Sequence, residues 1–236
     1  MKTRHTISFD LDNTLWDVEK IIIQAEQDMR TWMAQHTPDA LALYGPEHLG
    51  PLREQVVNQY PHKIHDLSFM RIELLFELML CAGDSESDAR SNAQAAFDVF
   101  FVGRNRIEFF PGALDTLNQL KQDYRLLALT NGNADIERAG LAHIFDGAAN
   151  SAEAGAKKPD PAIYRYFLDK FALDPDKVIH VGDNLFDDVH GANAAGLKSV
   201  WVNLHSAVRT KEEAQPHAEV ASLPELIPVI EQLTQD

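Results

Sequence analysis

The chain reads as an α/β protein built on a parallel sheet, with an all-α segment inserted after the first strand. Short β-prone apolar runs, each stopping at a polar or glycine turn, recur at residues 6–9, 125–129, 177–181 and 198–202, the pattern of strands buried on both faces. Helical periodicity separates the later runs, as crossovers between parallel strands require. From about Asp17 to Arg106 the strand signal vanishes and four helical patterns follow one another.

Taken in order, Thr6-Ile7-Ser8-Phe9 runs into the acidic stretch Asp10-Leu11-Asp12-Asn13-Thr14. The insert holds helical patterns over 18–35, 47–59, 67–81 and 84–101, divided by turn signals at Thr37-Pro38, Gly45-Pro46, Tyr60-Pro61 and Gly83-Asp84. Phe69, Ile72, Leu75, Phe76 and Leu80 recur at helical spacing and predict the core of a bundle. Beyond it, Pro111-Gly112 opens a helix carrying Leu114, Leu117 and Leu120. Asp160 suits an N-cap and Pro161 the first helical position of a segment with Ile163, Tyr164, Phe167 and Leu168. A last helical pattern, 189–195, stops at Gly196.

A chain of 236 residues has room for one large domain or a core domain with an insert. The net charge of −15 argues against nucleic acid or an anionic membrane surface as partner, so an anion could bind only at a local positive site. The lone Cys81 cannot form an internal disulfide, and no Cys/His group has zinc spacing, which predicts a reducing, cytoplasmic setting. Met1 to His5 lacks a signal-peptide layout, and the most apolar stretch, 74–82, is too short for a bilayer and contains Glu77. A monomer or homodimer is expected.

Asp10 falls where the first strand ends, and Asp12 two residues on projects to the same side if extended geometry continues. Two carboxylates sharing a pocket allow one to act as nucleophile while the other moves protons, with a hard divalent cation held by their oxygens. Paired acids at a strand end are equally consistent with loop solvation. Thr130 with Asn131, and Asp183, follow two other predicted strands, at the carboxyl edge where open parallel sheets bind ligands. A phosphoryl group there needs a cation and hydroxyl or amide donors. Thr130, Asn131 and the turn at Gly132 can supply donors, Lys158 a fixed charge, and Asp183 a further metal ligand.

Four motifs in order, FDLDNTL, LTNGN, KKPDP and VGDNLFDDVHGANAAG, resemble those of the haloacid dehalogenase superfamily of phosphohydrolases. The similarity implies a Rossmann-like core over 1–16 and 107–236 and a helical cap over 17–106. It implies that Asp10 forms an aspartyl-phosphate and that Asp12 protonates the leaving oxygen and then activates water. It further implies phosphoryl contacts from Thr130 and Lys158, and Mg²⁺ held by Asp10, the Asp12 carbonyl and Asp183. Lys158, directly before Pro159, matches the family pattern better than Lys157. Asp188 has the commoner spacing from Asp183, with Asp187 as the alternative. The family's metal-free dehalogenases lack an acid at the position of Asp12, so its presence points to phosphoryl transfer.

The cap stretch HDLSFMRIELL and the second and fourth motifs resemble the bacterial branch that dephosphorylates FMN and 5-amino-6-(5-phospho-D-ribitylamino)uracil. That implies a small phosphorylated metabolite as partner, with sugar or nucleotide phosphates, a phosphomutase and a non-catalytic binding module as alternatives. Trp16 either stacks on a planar substrate or packs a hinge. His65 and Arg71 are substrate candidates in the insert, where a solvated loop around His62 to Asp66 is the other reading. His5, His143 and His180 read as structural histidines in or near core elements.

Overall fold

The computed structural model describes residues 5–235. Met1–Arg4, where no signal-peptide layout was read, lie outside the described residues, as does Asp236. Six parallel strands form one sheet: β1 (Thr6–Phe9), β2 (Arg125–Thr130), β3 (Ala148–Asn150), β4 (Val178–Gly182), β5 (Lys198–Val202) and β6 (Ala218–Val220), in the order β3-β2-β1-β4-β5-β6. The short apolar runs form the four inner strands. The two edge strands have three residues each and too little apolar sequence to stand out.

The register places the site. Phe9 pairs with Ala128 on one side and Val181 on the other, so the residues just beyond β1, β2 and β4 emerge at the same edge. Asp10 continues the ladder by donating its N–H to the Val181 carbonyl at 2.8 Å. Ile7, Phe9, Leu127, Leu129, Ile179 and Val181 are at most 1% exposed. Each such large side chain contributes roughly 1.5–3 kcal/mol by leaving water. That burial anchors the strand ends whose next residues are acids.

The chain divides into two compact units, one holding the described residues up to Asp17 and those from Glu108 onward, the other Val18–Ile107. The second unit contains α1 (Val18–His36), α2 (Pro38–Ala42), α3 (Pro46–Gln59), α4 (Leu67–Cys81) and α5 (Glu86–Arg104), and no strand among its described residues. The short α2 lies where the sequence showed only a turn signal. Met29, Met33, Leu75, Leu78, Met79, Ala93 and Phe100 form the core of this unit. Of the apolar positions expected on α4, Leu75 and Phe76 are buried, whereas Phe69, Ile72 and Leu80 are half-buried. At Gly103 a Cβ would lie 2.8 Å from the Ala25 Cα, so α1 and α5 approach through two small residues.

In the sheet-containing unit, α6 (Ala113–Asp123) follows Gly112, whose φ of 78° is the left-handed conformation that glycine adopts without penalty. Leu117 and Leu120 are buried there, but Leu114 is exposed. A short α7 (Ser151–Ala154) follows β3. In α8 (Pro161–Phe171), Asp160 caps the first turn by accepting from the Ala162 N–H at 2.8 Å. The helix expected over 189–195 begins earlier, as a wide π-helical turn over Leu185–His190 that runs into α9 (Gly191–Ala194). Asn184 starts it, its Oδ1 accepting from the Phe186 and Asp187 N–H groups at 2.9 Å each. That capping asparagine was read only as part of a motif. A C-terminal α10 (Leu226–Leu233) buries Leu226 and Ile230.

Candidate active site

A cleft of about 160 Å³ opens at the carboxyl edge of the sheet, and Asp10, Asp12, Thr130, Asn131, Lys158 and Asp183 all line it. Its centre is one buried ammonium shared between carboxylates. Lys158 Nζ donates to Asp10 Oδ1 at 2.6 Å, to Asp188 Oδ1 at 2.7 Å and to the Leu129 carbonyl at 2.9 Å. All three donor positions of the ammonium are thereby used. Lys157 has no such contact, and Lys158 is 1% exposed. Burial alone would lower the pKa of Lys158, but the facing charges of Asp10 and Asp188 outweigh it and hold the side chain charged, its pKa above the usual lysine range.

The three carboxylates respond differently to this cation. Burial would raise Asp188, but Lys158 and the His180 contact overcome that and hold it well below the usual carboxylate range. Asp10 is pushed well above that range by burial and by the charges of Asp188 and Asp183, despite Lys158. Asp183 is pushed up to about 6, first by burial and then by Asp188. One positive charge thus does not offset the three carboxylates, and further positive charge beside them would favour the ionised form of Asp10.

Oxygens of Asp10, Asp183 and Asp188 lie within 4.8 Å of one another, which suits a shared divalent ion. Asp188 is heavily committed: its Oδ1 also meets His180 Nε2 at 3.0 Å, and its Oδ2 accepts the Asn184 N–H at 2.9 Å. Asp10 and Asp183 are the better ligands. The Thr14 hydroxyl stands between them, 3.2 Å from Asp10 Oδ2 and 3.1 Å from Asp183 Oδ1, and its single proton serves one at a time. The Trp201 indole N–H holds the Asp183 carbonyl at 2.8 Å.

Asp187 and Asp188 do different things. Asp188 is 2% exposed and holds Lys158. Half-buried Asp187 accepts from Asn131 Nδ2 at 3.2 Å, while its carbonyl takes the Tyr164 hydroxyl at 2.7 Å. Gly182 makes room for Asp188, since a Cβ there would lie 2.2 Å from the Asp188 Cγ. Asn131 was expected among the phosphate contacts. It lines the cleft, and its carboxamide clamps the Lys158 backbone, with Oδ1 accepting from Lys158 N at 2.7 Å and Nδ2 donating to Lys158 O at 3.1 Å. Thr130 Oγ1 accepts the Gly132 N–H at 3.0 Å, which leaves its own proton to donate.

Trp16 is corrected as a stacking surface. It is fully buried, packs edge to face on Phe109 with centroids 5.8 Å apart, and donates its indole N–H to Asp12 Oδ1 at 2.8 Å. His65 and Arg71 belong to the helical unit. Arg71 Nη1 lies 2.9 Å from Glu26 Oε2 and its guanidinium 3.7 Å over the Phe100 ring, a packed ion pair within that unit. His65 is half-buried in the stretch between α3 and α4.

Sequence reasoning passed over Thr14, Ser8 and the part played by His180. The last depends on a pairing that only the fold makes, since Ser8 and His180 are register partners on adjacent strands. His180 is fully buried with Nδ1 3.0 Å from Ser8 Oγ. Burial lowers its pKa, which keeps the imidazole neutral, with Nε2–H donating to Asp188 and Nδ1 accepting from Ser8.

A parallel sheet with acids, a lysine and a threonine gathered at its carboxyl edge defines a hydrolase site, and a haloacid dehalogenase-like hydrolase family model matches residues 5–196. The chain belongs to that family. It is 33% identical over 227 residues to the 5-amino-6-(5-phospho-D-ribitylamino)uracil phosphatase YigB of Escherichia coli K12, covering 95% of both chains. It is 35% identical over 204 residues to a phosphoserine phosphatase of Thermus thermophilus, covering 83% of this chain and 71% of that one. Among solved structures, a protein described as a 2-haloacid dehalogenase from Pseudomonas syringae pv. Tomato DC3000 superimposes with a TM-score of 0.92 at 34% identity, covering 98% of this chain and 99% of the other.

Proposed function

We propose that this protein is a magnesium-dependent phosphomonoesterase that works through an aspartyl-phosphate on Asp10 and acts on small phosphorylated metabolites. The chain is a phosphatase. The single observation that carries the mechanism is the sharing of one buried ammonium, Lys158, by Asp10 and Asp188, with Asp183 beside them. It makes Asp10 a carboxylate held in place yet short of compensating charge.

In this reading Asp10 attacks phosphorus while Lys158, turning to the substrate the N–H that now meets Asp10, and the Thr130 hydroxyl bind phosphoryl oxygens, and Asp12 first gives a proton to the leaving oxygen and then takes one from water. Asp188 and Asn131 orient Lys158, one by its head and the other by its backbone. Asp10, Asp183 and the Asp12 carbonyl would hold Mg²⁺, with Asp188 fixing the lysine beside them. A bound divalent cation supplies the positive charge that phosphoryl transfer requires. The helical unit serves as the substrate-selecting cap, and His65 is its polar candidate. The uracil phosphatase relative supports 5-amino-6-(5-phospho-D-ribitylamino)uracil as substrate, and FMN, which also carries a phosphorylated ribityl chain on a heterocycle, is the second candidate.

Phosphate release from a panel of the ribitylaminouracil phosphate, FMN, phosphoserine, sugar phosphates and nucleotides tests the reading. The flavin-pathway compounds are expected to lead. Chloride release from 2-chloropropionate without any phosphatase activity would overturn it, and isomer formation without phosphate release would make the protein a mutase.

Metal dependence has a definite pH direction. Because the Asp183 carboxyl is raised to about 6, protons compete with the cation below that pH. Mg²⁺ affinity by calorimetry is expected to weaken steadily from pH 7.5 to 5, and excess EDTA to abolish turnover at every pH. Full activity in EDTA rules out the magnesium assignment.

A further inference from the structure

We infer that Trp16 is the positioning residue of the acid/base Asp12, holding one carboxylate oxygen so that the other carries the proton in both half-reactions. This rests on the role proposed for Asp12 above. A fully buried indole has no face to offer a ligand, and its N–H must find an acceptor inside the protein. It finds Asp12 Oδ1 at 2.8 Å.

The ring that donates is itself immobilised. Asn13, in the left-handed conformation at φ 62°, turns the chain so that its N–H meets the Trp16 carbonyl at 2.8 Å. Leu15 donates to the Leu11 carbonyl at 2.9 Å and accepts from the Phe110 N–H at 2.8 Å, while Trp16 forms backbone bridges to both Asp12 and Phe109. The loop 11–16 is therefore a closed frame that carries both the indole and the carboxylate it meets. Phe109 packs edge to face against the ring at 78°.

The chemistry follows from the two oxygens of a carboxylate. With Oδ1 engaged by the indole, the mobile proton belongs on Oδ2. In the first half-reaction the bond between Asp10 and phosphorus forms, the ester P–O bond breaks, and the leaving oxygen takes the Oδ2 proton. In the second, water gives a proton to Oδ2 as its oxygen attacks phosphorus, and the Asp10 carboxylate departs. Loosening Asp12 should slow only those steps that need a proton moved.

The test compares leaving groups. Trp16→Phe keeps an aromatic ring and deletes the N–H; benzothienylalanine inserted at position 16 keeps the bicyclic shape and replaces N–H by sulfur, and it decides the matter if the phenylalanine variant does not fold. Substrates are p-nitrophenyl phosphate, whose leaving group needs no proton, and glycerol phosphate, whose leaving alkoxide does. Turnover of glycerol phosphate is expected to fall by about 10- to 100-fold, the scale of a misplaced catalytic group. The rate of the p-nitrophenol burst should hold, with a larger burst as hydrolysis of the phospho-enzyme slows.

Equal losses in the rate of the phosphorylation step on both substrates, a change confined to KM, or no loss at all overturns the proposal. Asp12→Ala, run in parallel, separates the two ideas. If it lacks the same leaving-group dependence, the acid/base reading of Asp12 itself fails. If it shows that dependence and the position-16 variants do not, only the role of Trp16 fails.

Discussion

Asp10→Asn is expected to abolish phosphate release, with a loss on the order of 10⁴-fold or more, the scale seen when a covalent nucleophile is removed from a site that keeps its other groups. The substitution is nearly isosteric, and the amide can still meet Lys158 and Thr14, so circular dichroism and thermal unfolding should remain close to those of the parent. What disappears is the anionic oxygen that bonds to phosphorus. The decisive measurement is acid-quenched labelling with a ³²P-phosphomonoester, in which the parent traps label at Asp10 and the variant none. Normal turnover in the folded variant removes Asp10 as nucleophile.

Lys158→Met is expected to damage both folding and turnover, because it leaves the buried carboxylates of Asp10 and Asp188 facing each other without the ammonium that both contact. Removing one partner of a buried ionic group costs about 3–5 kcal/mol, and loss of a fixed charge at a phosphoryl site about 10²- to 10³-fold in rate. The stability loss has a sign in pH. In the parent, Asp188 titrates below its ordinary range, so its contribution is present above that range and fades only in acid. Lys158 titrates above its ordinary range, so its contribution persists until strongly alkaline pH. Without the lysine, both carboxylates resist ionisation, and protonation relieves the strain. Urea unfolding in EDTA should therefore show the largest deficit near pH 8 and a smaller one near pH 5. A deficit independent of pH would mean lost packing rather than lost charge compensation.

Local patterns predicted much of this molecule because local physics produces them. The four inner strands are short β-prone runs buried within the sheet, and each ends at a polar, charged or glycine residue whose further burial would be costly. Asp160-Pro161 starts α8 by rules that operate within one turn. The same locality explains what was missed. Edge strands β3 and β6 are three residues long and owe their conformation to pairing with a neighbour already in place. The turn over Leu185–His190 begins four residues before the expected helix because Asn184 captures two N–H groups, a side-chain choice that apolar periodicity does not record.

The candidate site shows the same division. Asp10, Asp12, Thr130, Lys158 and Asp183 were legible because strand ends converge on one edge of a parallel sheet. The commitments of Asn131, Trp16 and His180 were not. A carboxamide that serves the backbone of Lys158 and one that contacts a ligand have the same sequence context. A tryptophan beside a motif has the same letter whether it is fully buried or open to a substrate.

By itself the amino-acid sequence determined the four inner strands, the long helices of the insert and the acids at the strand ends, and hence the kind of chemistry open to Asp10. Tertiary structure alone decided how the charges are shared. Lys158 is 148 residues from Asp10 and 30 from Asp188, and only folding brings their heads to within hydrogen-bonding distance in a medium that screens charge poorly. Which carboxylate is held low, which is pushed up, and which acceptor the buried Trp16 indole meets depend on distance and burial, quantities that the folded chain defines and its order of residues does not.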